Sequence, residues 1–573
     1  MTDNFMEGIV SGDSRKIPWE LPEESPAPAK RDDRKPQQQP QGQNPNQRRR
    51  HRQRRHRGGG GQGGGQGQNQ GRNQNQQQRQ QQKPQQQGQR HGQNQQQRHG
   101  QKQQQRPQQK QQGQQQHQAQ RHAPAVQLPP IPKGKMRVTF YGAAAEVGRS
   151  CILIESGNTR LILDAGIKLG ETEEHPVIED SMLKNVDAVI LSHAHMDHSS
   201  YLPHFYSNGY NGPIYATKPT FELIDVMMKD YLHISNPKGV TKEGVKKIPK
   251  YYHPVEYFKE FRIKDIKVRL LPAGHIIGSA MIELDDGKHR LLYTGDVNLR
   301  STKIFDPAYT KGLHDDALII ESTYGGKDDV FPPEGEVLGK MAQSIKETVN
   351  SGGRVILPCL AVGRAQEILF TLDDYVRSGV IPKVPIYVDG MIGKVLKIYK
   401  RNARFCKDSI QQRVRTKNND PFTSKNFSLV SSRQERNRIL KSDGSCIVVT
   451  TSGMLKGGPV IQYMDKWAGD SNNKVILVSY QAEDTPGRQL LNGAREIEFG
   501  DEKLKIKINL KVEYFHLSAH ADRPQLLSLI GRVNGLKTIF IEHGEEVKAH
   551  ELYDTLKNKY DAKLPVLSTP YDV

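Results

Sequence analysis

The chain has 573 residues, 83 Lys/Arg against 63 Asp/Glu (a formal net charge of +20) and four cysteines. No apolar run reaches the roughly 18 residues that a membrane helix needs, and the opening MTDNFMEGIVSGD is polar and acidic, so neither a membrane span nor a secretory leader is expected and the location is read as cytoplasmic. Cys151, Cys359, Cys406 and Cys446 form no Cys-x-x-Cys pair, which argues against a zinc ribbon or disulfide frame and for small core residues in a reducing compartment.

In chain order the first feature is a low-complexity tail. Residues 34–133 contain no acid, Phe, Trp or Tyr and consist mostly of Gln, Gly, Arg, Asn, Pro and His. Such a stretch cannot bury enough apolar surface to offset chain entropy, so residues 1–133 are expected to be disordered. They carry 23 Lys/Arg against 8 Asp/Glu, net +15, whereas residues 134–573 carry 60 against 55, net +5. The high basicity is therefore the tail's. Flexible Arg, Lys and Gln beside Gly suit salt-sensitive, non-specific attachment to a polyanion such as RNA. A solubilising or self-associating role fits the composition nearly as well, because RGG repeats and interleaved aromatics are missing.

Six apolar runs then end on His or Asp. The run 160–163 ends at Asp164, followed by Ala165-Gly166. The run 186–191 opens into Ser192-His193-Ala194-His195-Met196-Asp197-His198, three imidazoles and a carboxylate within six positions. Further on, 268–274 leads into His275, 291–295 into Asp296, 515–519 into His520 and 538–542 into His543. Each residue singly is better read as a turn cap or a surface histidine. Together they describe one edge of an open sheet, where rigid strand ends present side chains to a shared site. Histidine and aspartate are the ligands that zinc takes, and alternate residues on a turning backbone can converge on adjacent ions. Gly166, Gly274, Gly295 and Gly544 beside them suit a backbone that must turn tightly.

Asp164, the His193-x-His195-x-Asp197-His198 run, His275 and Asp296 resemble the successive motifs of the metallo-β-lactamase fold. Glu321 in Ile320-Glu321-Ser322-Thr323-Tyr324-Gly325, His520 in Ser518-Ala519-His520-Ala521-Asp522 and His543 in Glu542-His543-Gly544 resemble the extra motifs of its β-CASP nucleic-acid-processing branch. The segments 357–367 and 451–455 resemble parts of the inserted β-CASP domain. The likeness covers 134–573 and leaves out the tail. It is closest to CPSF-like ribonucleases (relatives of the cleavage and polyadenylation nuclease), through Tyr480-Gln481-Ala482-Glu483-Asp484-Thr485-Pro486-Gly487-Arg488, with RNase J next. RNase J enzymes usually carry a further C-terminal domain. The archaeal terminator-cleaving version carries N-terminal KH domains, but the tail here contains no Gly-x-x-Gly module in a βα context.

The resemblance implies an α/β fold: a metallo-β-lactamase αββα sandwich from 134–330 and 501–573, with an inserted β-CASP α/β domain at 331–500. It implies two zinc ions per chain. His193, His195 and His275 would hold one ion, Asp197, His198 and His543 the other, with Asp296 bridging. Asp197 would also orient or deprotonate the attacking water, His520 would be the general acid, and Glu321 would orient His520. The alternative for His520 is a simple phosphate contact. Asp164 is expected to hold a ligating imidazole rather than an ion. The implied reaction is hydrolysis of single-stranded RNA to 5′-phosphate and 3′-hydroxyl ends.

A hinged insert would form a cleft that threads one strand and excludes a duplex. Ser452, Gly453 and Met454 are candidates to present backbone N–H groups to phosphate, or they form an ordinary loop. Arg364 either reaches phosphate or ties the two domains together. Three competing readings are a small-molecule hydrolase of the same fold, a DNA-acting β-CASP nuclease and a catalytically inactive RNA-binding subunit. The first needs no Glu321/His520/His543 set, the family's DNA-repair members typically lack histidine at the place of His543, and inactive paralogues lose ligands. The family leaves room for a homodimer and for membership of an RNA-processing or transcription complex.

Overall fold

The computed structural model describes residues 130–131, 133–170, 172–234, 240–482, 485–499 and 504–573. The expected disordered tail lies almost wholly outside the described residues. Two seven-stranded sheets stack face to face. One runs Pro570–Asp572, Met136–Phe140, Ile152–Ser156, Thr159–Leu163, Ala188–Ile190, Ile214–Ala216, Tyr252–Pro254. The other runs Asp561–Lys563, Thr538–Glu542, Ala317–Glu321, Arg290–Tyr293, Ala280–Asp285, Ile266–Pro272, Glu260–Ile263. Each sheet is antiparallel at one side and parallel at the other; Asp164, His193, Asp296, Glu321 and His543 follow strands of the parallel parts, whereas His275 follows Ile266–Pro272, which is antiparallel to both neighbours.

The period of two along each strand decides which face a residue serves. Met136, Val138, Phe140, Ile152 and Ile154 point between the sheets, against Val268, Leu270, Ile282, Tyr293 and Phe540. Leu153, Ile162 and Val189 point the other way, into the core shared with Leu202, Phe205 and Phe221 of the covering helices Leu202–Ser207 and Lys218–Ile234. On the far side Leu292, Leu318, Ile539 and Ile541 pack under the helices Arg523–Ile530 and Glu546–Leu556. The result is an αββα sandwich.

The insert is a six-stranded, wholly parallel sheet in the order Phe427–Leu429, Ile386–Asp389, Ile447–Thr450, Val355–Pro358, Lys474–Leu477, Lys511–Tyr514. Its last strand lies beyond the boundary expected at residue 500. Lys511-Val512-Glu513-Tyr514 alternates charged and apolar residues as a half-exposed edge, so no apolar run marked it as part of the insert. Insert and sandwich share one continuous hydrophobic core, in which Ile276 and Ile304 sit with Val355, Leu369 and Tyr399. Polar ties reinforce the junction: Thr302 Oγ1 donates to Glu367 Oε1 at 2.6 Å, and Lys303 Nζ meets Asp374 Oδ2 at 2.9 Å.

Candidate metal centre

The strand ends converge on two neighbouring clusters, with a third, overlapping group formed by Asp296, Glu321 and His543. Ligand atoms of His193, His195, His275 and Asp296 all lie within 4.8 Å of one another, and so do those of Asp197, His198 and His543. Asp296 joins the two clusters. Its Oδ2 is 3.4 Å from His193 Nε2 and 3.5 Å from His275 Nε2, while its Oδ1 is 3.3 Å from His198 Nε2 and 3.5 Å from His543 Nδ1. His543 Nε2 lies 3.5 Å from Asp197 Oδ2.

The local backbone follows from the loops that carry these residues. Gly166 packs so closely on the His-rich loop that a Cβ there would sit 1.7 Å from Asp197 O. Asp164 and His543 both hold left-handed backbone, φ +58° and +47°, a strained state for non-glycine residues that tends to occur at functional sites. Asp164 is fully buried and accepts from Ser192 N at 2.7 Å, Ser192 Oγ at 2.6 Å and Tyr293 OH at 2.7 Å. Its Oδ2 is also 2.8 Å from His198 Nδ1, which turns the Nε2 of that ring toward Asp296. On the other side, Ala519 O takes His275 Nδ1 at 2.9 Å and leaves Nε2 facing His195 Nδ1 at 3.1 Å.

The donor set fits a divalent cation. His193 Nε2, His198 Nε2, His543 Nε2 and Asp296 Oδ1 are buried with no hydrogen-bond partner among the described residues. Buried polar atoms are normally satisfied, and four such atoms aimed at common points fit bound ions. Burial lowers the pKa of His193, His195 (to about 4) and His275, which keeps those imidazoles neutral as a metal requires. Burial opposes charge on His198 and His543 as well. There Asp296, with Asp164 for His198 and Asp197 for His543, outweighs it, and His543 rises to about 9. Burial likewise opposes ionisation of Asp296, but the surrounding imidazoles, His198 first, hold its carboxyl well below the usual range.

Beside the clusters, His520 Nδ1 lies 2.8 Å from Glu321 Oε2 and its Nε2 lies 3.8 Å from Asp296 Oδ2. Glu321 Oε1 accepts Val297 N at 2.7 Å, so both carboxylate oxygens are engaged. Burial works against a charged His520, yet Glu321 and Asp296 together raise its pKa.

Of the residues expected to touch substrate, Arg364 opens the helix Arg364–Arg377, is only 7% exposed, and has no hydrogen bond or ion pair among the described residues. It lines a cleft with Asn298, Arg300, Phe331, His516 and Ser518. Ser452 Oγ is buried without a partner, but Ser452 N is spent on Gly457 O at 3.2 Å, which removes that N–H from the expected phosphate contacts. Gly453 O accepts Gln481 Nε2 at 3.1 Å, and Met454 O accepts Gly487 N at 3.3 Å.

Sequence reasoning missed several members of the site. Tyr293 sits in an apolar run, and only its hydroxyl marks it as a donor to Asp164. Glu542 is fully buried, neither carboxylate oxygen has a partner among the described residues, and burial pushes its pKa up to about 8 against the pull of His543 and His198. An acid inside an apolar strand next to His543 was the available signal. Phe331 and His516, whose rings lie 4.4 Å apart, come from segments too distant in the chain to be associated by pattern.

Residues 144–336 match the metallo-beta-lactamase superfamily, 365–490 the Beta-Casp domain and 505–565 the Zn-dependent metallo-hydrolase RNA specificity domain. The chain is 36% identical over 440 residues to the transcription termination factor FttA of Methanocaldococcus jannaschii, which spans 74% of this chain and 69% of that protein. It is 37% identical over 439 residues to FttA of Lokiarchaeum, with the same coverage. For FttA of Thermococcus kodakarensis the identity is 35% over 451 residues, again 74% and 69% of the two chains.

Proposed function

The chain belongs to the metallo-β-lactamase superfamily, in its β-CASP branch, and on that premise we propose that it is a zinc-dependent ribonuclease that cuts single-stranded RNA internally. The observation that carries this reading is the junction at Asp296, where two groups of ligand-type atoms meet beside the His520–Glu321 pair. His193, His195, His275 and Asp296 would hold one zinc, and Asp197, His198, His543 and Asp296 the other. Bound there, zinc supplies Lewis acidity toward phosphate and brings the pKa of a bound water to about 7.

The remaining chemistry belongs to side chains of this chain. Asp197 lies beside His543 and would orient the attacking water and accept its proton. His520, whose pKa Glu321 and Asp296 raise, would donate a proton to the departing 3′ oxygen, leaving 5′-phosphate and 3′-hydroxyl ends. Glu321 touches no substrate and acts by fixing the ring and favouring the imidazolium. Arg364 would reach a flanking phosphate. That the FttA relatives are transcription termination factors supports RNA 3′-end formation at transcription termination over general decay.

Two other readings are disfavoured. An inactive subunit would be expected to have lost a ligand position, and every position is filled. A DNA-acting enzyme is disfavoured by the Zn-dependent RNA specificity match at 505–565. The test is cleavage of one RNA labelled internally and at both ends, bearing a 5′-triphosphate, monophosphate or hydroxyl, before and after chelation. Internal products independent of the 5′ group and abolished by chelator support the proposal. Mononucleotides released only from monophosphate ends would make it a 5′→3′ exonuclease. Binding without cleavage would return the inactive-subunit reading.

A further inference from the structure

We propose that RNA leaving the metal centre follows the carboxyl edge of the insert's sheet, along a row of cations that ends on Lys394, Lys397 and Arg433; this rests on the ribonuclease reading. Four neighbouring parallel strands carry the row. Past their carboxyl ends, Val355–Pro358 leads to Arg364, Ile447–Thr450 to Lys456, Ile386–Asp389 to Lys394 and Phe427–Leu429 to Arg433. Neighbouring strands lie about 4.8 Å apart, so the row spans roughly 15 Å. Each strand is also followed by a helix whose amino end faces this edge, and that polarity favours anions.

The inner end of the row touches the metal centre. Val362 O lies 3.4 Å from His195 Nε2, and Gly363 packs against Ile276, next to His275, so tightly that a Cβ would sit 2.7 Å from its Cγ2. Arg364 follows directly, nearly buried and unpaired among the described residues, and Ser452 Oγ is buried without a partner beside it in the row. A Cβ at Gly390 would come within 2.2 Å of Thr451 Oγ1, so the loop before Lys394 lies against the loop that carries Ser452 and Lys456, whose Nζ also donates to Gly170 O at 3.0 Å.

At the outer end Lys394, Lys397 and Arg433 are exposed and form no ion pair among the described residues. Two acids close to them in the chain, Asp389 and Glu435, are already engaged. Asp389 accepts Arg436 at 2.6 and 2.9 Å and Tyr463 OH at 2.8 Å, and Glu435 accepts Ser431 N at 2.8 Å. Residues 392–441 carry 14 Lys/Arg against 3 Asp/Glu; of these cations Lys400, Arg401, Arg404, Arg413 and Arg436 are paired with acids, whereas Lys394, Lys397 and Arg433 are left to the edge. A row of point charges with no base-reading pocket suits a phosphate backbone read without sequence. Its start at the metal centre favours the substrate's own strand over an acidic protein.

The test uses the full chain carrying K394Q, K397Q and R433Q, with a control carrying R415Q, K417Q and K425Q, exposed cations that precede the edge strand in the chain. Binding and cleavage are measured across a salt series with single-stranded RNAs of about 6 and about 30 nucleotides. For the long RNA the track variant should raise Kd and KM about tenfold at low salt. Its plot of log K against log salt should become shallower by about 2, since each lost phosphate contact removes about 0.7. Cleavage of the short RNA, kcat and metal content should stay at parental values, and the control should move little. Equal losses in both variants would mean a diffuse field and overturn the track, as would an unchanged slope on the long RNA. If the parent cuts no RNA yet the track variant alone flattens the slope, the ribonuclease reading falls and the track stands as a binding surface.

Discussion

At the scale of single residues, His520 and Asp164 do different work with the same kind of imidazole–carboxylate contact. His520 pairs with Glu321 at 2.8 Å and is turned toward the centre without being one of the grouped ligands. His520→Ala should therefore keep its metal and lose roughly 10²–10⁴ in kcat, the usual share of a general acid. Metal content measured beside single-turnover rates checks this, and a parental rate would reduce His520 to a phosphate contact. Asp164 instead works through His198, and its side chain also gathers Ser192 N, Ser192 Oγ and Tyr293 OH. Asp164→Ala leaves those buried donors unpaired and frees the ring. Metal affinity should fall about 10–100-fold, with a stability loss of a few kcal/mol. Competition with a chromophoric chelator and a thermal melt separate the two effects. A normal affinity in a folded variant would show that the ring is held by its other neighbours.

At the scale of elements, the loop after Ala188–Ile190 owes its course to one glycine. With a Cβ only 1.7 Å from Asp197 O, Gly166→Ala must push that loop away, since both contacting groups are backbone. The variant should keep its far-ultraviolet circular dichroism and lose metal, whereas Gly335→Ala, where a Cβ meets open space, should do neither. Retained metal in Gly166→Ala would mean that the loop can yield. The same elements explain what the sequence made legible. Strand ends such as 186–191 before His193 were readable because buried parallel strands appear as apolar runs, and the ligands stand at the next position. The strand Lys511–Tyr514 was not, because an edge strand with one wet face has too few apolar residues to stand out. The cleft of Arg300, Phe331, Arg364 and His516 was equally hidden, since it exists only once the insert folds back on the sandwich. Periodicity reports an element's own faces and carries no information on which distant loop will meet them.

At the scale of the whole molecule, stability should depend on pH through a group far from the metal. Asp315 is fully buried, and both of its carboxylate oxygens lack a partner among the described residues. Burial first, and then the nearby Glu283 carboxylate, raise its pKa from 3.8 to about 7, although Arg290 and Arg269 pull the other way. Glu283 has already claimed those two guanidiniums, at 2.6 Å for Arg269 and 3.3 Å for Arg290. Below pH 3.8 Asp315 is protonated in both folded and unfolded chains and costs nothing. Between 3.8 and about 7 only the folded chain keeps the proton, so stability falls as pH rises through this window and levels off above it. The loss is bounded at about 4 kcal/mol by the size of the shift, and water reaching the site would make it smaller. Asp315→Asn cannot ionise and should remove this slope. Denaturant midpoints of parent and variant, taken from pH 4.5 to 8.5, should diverge as pH rises, with the variant the more stable at the alkaline end. Taking the difference between the two proteins cancels the other titrating groups, including Glu542. A constant difference across the range would mean that Asp315 ionises normally, with solvent reaching its carboxylate.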